Sequence, residues 1–103
     1  MFEELEKIER RLKEKGYIYH AGLIRQAIFD GKIALEAAKK CDIETAVEKL
    51  VDFGRNSGMS EISLRELEEL KNEDPELYGT IFYELAKAED RLEKEVRSRI
   101  LTC

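Results

Sequence analysis

Residues 17–40 read YIYHAGLIRQAIFDGKIALEAAKK, and the spacing of their apolar side chains decides the fold. Tyr17, Ala21, Ile24, Ile28, Gly31, Leu35 and Ala38 step alternately by four and three, which is the seam of a helix that packs along one line. Ile18, Leu23, Phe29 and Ile33 place further apolar side chains on its other sides. A helix that is apolar nearly all round has to be buried nearly all round. In a chain of 103 residues, either the remaining helices wrap it or a second copy covers what they leave. The seam from Tyr17 to Ala38 is therefore assigned as a contact between two copies, and a homodimer is expected. Gly22 and Gly31 each cost such a helix about 1 kcal/mol relative to alanine. A close approach by another backbone, or a bend, is expected at both.

Working outward, Phe2, Leu5, Ile8 and Leu12 give residues 2–15 one narrow apolar stripe, ended by Gly16. The outer faces of this helix carry acid-before-base pairs at four-residue spacing: Glu3 with Lys7, Glu6 with Arg10 and Glu9 with Lys13. Asp42 is placed to cap a third helix whose Ile43, Ala46, Val47, Leu50 and Val51 face one way. Residues 54–60 form a loop, and Ser63 with Glu66 has the spacing of a capping box, opening a short helix with Leu64, Leu67 and Leu70 inward. Asp74 and Pro75 mark the next helix start, and Leu77, Ile81, Phe82, Leu85, Leu92, Val96 and Ile100 carry that helix almost to the end. Its second half adds the pairs Asp90 with Lys94, Glu93 with Arg97, and Glu95 with Arg99. The fold expected is all-α, a compact bundle of about five helices, two long (17–40 and 75–101) and three short, forming a single domain over residues 1–103. Tyr17, Tyr19, Tyr78 and Tyr83 lie near the starts of the two long helices, so they gather at one end of the bundle only if those helices run parallel.

Composition narrows the setting. The first residues, MFEELEKIERR, have neither the basic nor the apolar region of a secretory signal, and a cytoplasmic protein is expected. The longest run without a charged side chain is Gly16 to Ile24, well short of the ~20 apolar residues a membrane span needs, so no membrane segment is expected. Abundant Glu, Lys and Arg give a composition like that of heat-adapted proteins. Cys41 and Cys103, with one histidine in the chain, are too few ligands for a closed zinc site. They are read as free thiols, with a disulfide inside or between chains as the alternative.

The stretch FGRNSGMSEISLRELEEL, Phe53 to Leu70, has the spacing of a helix-turn-helix around Gly58. Its charge argues against DNA. Ser60 to Glu76 holds seven acids against Arg65 and Lys71, whereas binding to nucleic acid depends on cations set against phosphates. The acidic series Glu36, Glu44, Glu48 and Asp52 resembles that of the all-α nucleotide pyrophosphohydrolases, a resemblance confined to residues 30–54. It implies Mg²⁺ held between helical carboxylates and a triphosphate. Ala34, Leu35 and Ala37 stand where that family's second glutamate near Glu36 would be, Lys49 stands where its second motif favours a glutamate, and helical periodicity turns Glu44, Glu48 and Asp52 toward water. His20 is expected buried and bonded to a neighbouring helix, without a nucleophile partner. No cofactor or metal site and no catalytic residue is predicted. The function expected is a protein–protein interaction or assembly module, with an unknown protein partner beside the second copy. An Mg-dependent pyrophosphohydrolase-like enzyme and a helix-turn-helix regulator are the alternatives.

Overall fold

The computed structural model describes residues 1–57 and 64–103, and in them the chain forms α1 (Glu3–Glu14), α2 (Ile18–Lys39), α3 (Ile43–Ser57), α4 (Leu64–Glu73) and α5 (Pro75–Leu101). The fold is an all-α bundle, as the periodicity predicts, drawn out to 47 × 21 × 17 Å. The capping box expected at Ser63 falls outside the described residues, as does the glycine turn at Gly58.

Two tight turns fold the first three helices back and forth. Gly16, at φ 87°, takes the left-handed conformation, and the N–H groups of Gly16 and Tyr17 donate to the carbonyls of Lys13 and Leu12. This is the paired-bond ending that glycine favours after a helix, and it brings the buried Leu12 and Tyr17 together. The α2–α3 turn repeats the pattern with Cys41 in glycine's place at φ 60°: Cys41 N–H donates to Ala38 and Asp42 N–H to Ala37. Asp42 then caps α3, its Oδ1 accepting from Thr45 N–H at 3.3 Å. Asp74 caps α5 the same way, accepting from Leu77 N–H at 3.0 Å with Pro75 at the first helical position.

The two long helices run parallel, joined at both ends. At the start of each, Tyr17 donates a hydrogen bond to the Glu73 carboxylate just ahead of α5. At the far end a disulfide joins Cys41 to Cys103 with Cα atoms 5.7 Å apart. The reading of both cysteines as free thiols is corrected accordingly. Sequence separation hides the pairing, which becomes possible only because α2, about 33 Å long, and α5, about 40 Å, start level and therefore end close together. The tyrosine-bearing starts of these helices gather at one end as a result.

Burial follows the stripes. Phe2, Leu5, Ile8 and Leu12 of the first helical segment, and Leu77, Ile81, Leu85, Leu92 and Val96 of α5, are all buried against α2 and its neighbours. α2 itself is not enclosed all round. Ile18 is 71% exposed and Phe29 59% exposed, on one outer arc with Gly22, Arg25, Lys32 and Glu36. Helices packed on one side cover only about half of a helix's girth, which corrects the expectation of burial on every side.

The two glycines of α2 differ for a physical reason. A Cβ at position 31 would lie 2.6 Å from Cζ of Phe2, whose ring packs over Gly31 toward Phe53 with the two ring centroids 6.3 Å apart. A close approach does exist there, made by a side chain rather than a backbone. At Gly22 nothing lies within 4 Å of a Cβ, so the approach expected there is absent.

The same helix should therefore give opposite results. Gly22→Ala should raise stability by about 0.5–1 kcal/mol through helix propensity alone. Gly31→Val should lower it by about 1–3 kcal/mol by displacing Phe2. Urea unfolding of both variants beside the parent checks the contrast. Reducing the Cys41–Cys103 bond, which closes a separation of 62 residues, should cost about 4 kcal/mol in the chain-entropy account. Unfolding with and without a dithiol reductant, against Cys103→Ser as control, measures this; an unchanged midpoint would contradict it.

Candidate functional site

The seam assigned as an interface lies inside one chain. Tyr17, Ala21, Ile24, Ile28, Gly31 and Ala38 are buried, and Leu35 is half-buried against the same core. They face α1, α3 and α5, so this surface is already covered before any second copy arrives.

The apolar surface left open lies on α3. Ile43, Val47 and Val51 were expected to face inward with Ala46 and Leu50, but they are 46%, 47% and 49% exposed. Ala46 and Phe53 hold α3 to the core and Leu50 packs at its edge. At 100° per residue, Ile43, Val47 and Val51 form a line one arc round from those anchors. Periodicity placed all the apolar residues on one broad face, and only half of that face has a neighbour. Glu44 and Glu48 border the line on its outer side, exposed as expected.

A polar cluster forms where α4 meets the start of α2. Tyr17, at the N-cap of α2, supplies no side-chain cap, and α2 has no acid in its first turn. Glu66 substitutes from α4: its carboxylate accepts from Tyr19 N–H at 3.3 Å and His20 N–H at 2.9 Å. The negative charge sits at the positive end of the helix dipole, where it is most stabilising. Glu73 accepts from Tyr17, and that hydrogen bond, followed by burial, pushes the phenol up to about 12. Asp74 caps α5 and pairs with Lys15 at 3.2 Å and Arg11 at 3.9 Å. Its carboxyl is held below the usual range, first by the Leu77 amide. Three of the seven acids between Ser60 and Glu76 thus act as structural acceptors.

His20 is buried as expected but not bonded as expected. It is 3% exposed, its Nδ1 lies 3.5 Å from Glu66 Oε1, and neither ring nitrogen has a hydrogen-bond partner among the described residues. Burial lowers its pKa, against the opposing pull of Glu66. No serine, cysteine or aspartate stands in hydrogen-bonding reach of it among the described residues.

The carboxylates that resemble a pyrophosphohydrolase series are not brought together. Glu36 pairs with Lys40 at 3.5 Å, Glu44 and Glu48 point to water, and Asp52 pairs with Lys49 at 3.5 Å. The described residues contain no group of three or more His, Cys, Asp or Glu placed to hold a metal ion. In α4, Leu67 and Leu70 are buried, while Arg65, Glu68, Glu69 and Lys71 are exposed, leaving an outward face without a cationic surplus.

Asp30 is a buried acid that the sequence reading passed over. It is 2% exposed and accepts from Gln26 at 3.2 Å, with Lys49 Nζ 4.0 Å away. The available signal was an aspartate between Phe29 and Gly31, four residues after a glutamine, in an otherwise apolar stretch.

No protein-family model, curated protein or solved structure matches this chain. Among the described residues no helix is long and apolar enough to cross a membrane.

The His20 environment gives a pH test. The folded chain favours neutral imidazole, so below the ordinary value of 6.5 the unfolded chain takes up a proton that the folded one resists. Stability should fall as pH drops from 6.5 toward the depressed folded value. His20→Gln should flatten that part of the profile. Denaturant midpoints measured across the window for both proteins check it, and parallel profiles would show that His20 is not the group responsible.

Proposed function

We propose that this chain is an assembly module that pairs with a second copy of itself through the outer line of α3. The observation that carries this reading is the half-exposed series Ile43, Val47 and Val51 at successive four-residue steps on a helix anchored by the adjoining arc. Three β-branched side chains are stiff, so little rotamer entropy is lost when such a line is covered. The series is also its own complement. A twofold axis through Val47 sets Ile43 of each copy against Val51 of the other, which is the self-matching that a closed dimer contact requires. The seam of α2 is occupied within the chain and contributes by holding α3 in place.

α3 has 15 residues, about 22 Å of helix. A contact of that length lies at the small end of specific interfaces, so the pair should dissociate on dilution. Light scattering over a concentration series should show mass rising toward two copies. Val47→Glu should hold the chain monomeric throughout, with a melting temperature within a few degrees of the parent because the side chain is half exposed. Ile28→Asp, which buries a carboxylate in the core, should instead unfold the chain. A parent monomeric at every concentration, or a Val47→Glu variant that pairs as well as the parent, would refute the reading.

A further inference from the structure

A second concave surface lies between α1 and α2, on the side of α2 that no other helix covers. It is an open groove of about 640 Å³, within the roughly 300–1,000 Å³ typical of small-ligand sites. Gly22 lies within it and leaves open space where a side chain would stand. Its lining holds four cations, Arg10, Lys13, Arg25 and Lys32, against two carboxylates, in a chain whose net charge is −5.

The pairing within this groove is incomplete. Lys32 bonds Glu6 at 3.2 Å, which consumes one cation and one acid. Arg10, Lys13 and Arg25 make no hydrogen bond or ion pair among the described residues, and the helical pairs expected for Arg10 and Lys13 do not form. The Lys32–Glu6 bridge spans the two antiparallel helices. Lys13 of α1 and Arg25 of α2 line the same groove. Glu9 is the other carboxylate of the lining, so the three cations outnumber it and leave the groove a surplus of positive charge that an entering anion would offset. One turn along α2 from Arg25, about 6 Å, Phe29 offers an aromatic ring that is 59% exposed.

We propose that the α1–α2 groove binds a small phosphorylated ligand with a planar ring, of the nucleoside monophosphate class, its phosphate between Lys13 and Arg25 and its ring against Phe29. Arginine suits the phosphate because its guanidinium presents a fork of donors to two oxygens at once. Phe29 supplies the flat apolar face on which a base can stack. Three uncommitted cations within one groove fit a single phosphate group better than the extended backbone of a nucleic acid, which would need a stripe of cations running beyond the groove.

Amide-resolved NMR titration at low salt tests the site, with AMP, adenosine and inorganic phosphate as separate probes and a single-stranded oligonucleotide as a fourth. AMP should shift amides of α1 around Lys13 and of α2 from Gly22 to Phe29, and should bind more tightly than adenosine or phosphate alone. Arg25→Glu should weaken AMP by about tenfold or more. Phe29→Ala should weaken AMP but leave phosphate unchanged. Both side chains are exposed, so melting temperatures should stay near the parent's, separating a lost ligand contact from a lost fold. Absence of AMP shifts, shifts that map elsewhere, or AMP binding unaffected by Arg25→Glu would overturn the proposal. Phosphate binding as tightly as AMP would overturn the assignment of Phe29, and an oligonucleotide binding far more tightly than AMP would replace the small ligand with a nucleic acid.

Discussion

Phe2 occupies the space that a side chain at position 31 would fill, and the closure of the bundle depends on that exchange. The ring reaches from the start of α1 to the middle of α2 and stands beside Phe53 near the end of α3, so one contact unites three elements. A glycine in a helix interior sacrifices about 1 kcal/mol of helix propensity. Here that loss lets a ring approach the α2 backbone, and burying an aromatic side chain contributes more than the glycine costs. Other buried positions of α2, among them Ala27, Ala34 and Ala38, are also small, and α3 packs along the same helix.

A second constraint is electrostatic. The most acidic segment of the chain turns part of its charge inward, where carboxylates complete the starts of helices. Glu66 serves α2, Asp74 serves α5, and Glu73 ties the two helix starts together through Tyr17. α4 is short, and its placement rests on these acceptors together with Leu67 and Leu70. The acidic surplus from Ser60 to Glu76 is therefore partly a device of the fold.

Much of this was legible beforehand, and the reasons are local. Asp42, Asp74, Pro75 and Gly16 act within one turn of their own positions, so spacing alone identified the caps and the stops. The pairs Asp90–Lys94, Glu93–Arg97 and Glu95–Arg99 formed as expected along α5, where nothing competes for them. In α1 competition decided otherwise: Glu3 turns to the N-terminal amine, Glu6 to Lys32, and Lys7 to Glu4. What could not be read was whatever depends on which helix stands beside which. The long-range cap from Glu66, the partnering of Cys41 with Cys103 and the direction of α5 relative to α2 are facts of that kind. Apolar spacing also could not say which half of the α3 face would find a neighbour, and the candidate surfaces on α3 and in the α1–α2 groove became visible only once the covered faces were known.

The disulfide divides the chain in a way that burial does not. Residues 41–103 form a covalently closed ring holding α3, α4 and α5, while α1 and α2 lie outside it as an open lead. Tension applied between residue 1 and residue 103 would travel through the first 41 residues and cross directly at the sulfur bridge, leaving the ring unloaded. Full extension under force would release roughly 140 Å of contour, against about 350 Å for the same chain with the bridge opened. Mechanically, the molecule is a short tether attached to a loop that bears no load, and the thiol–disulfide state of Cys41 and Cys103 sets how far it stretches.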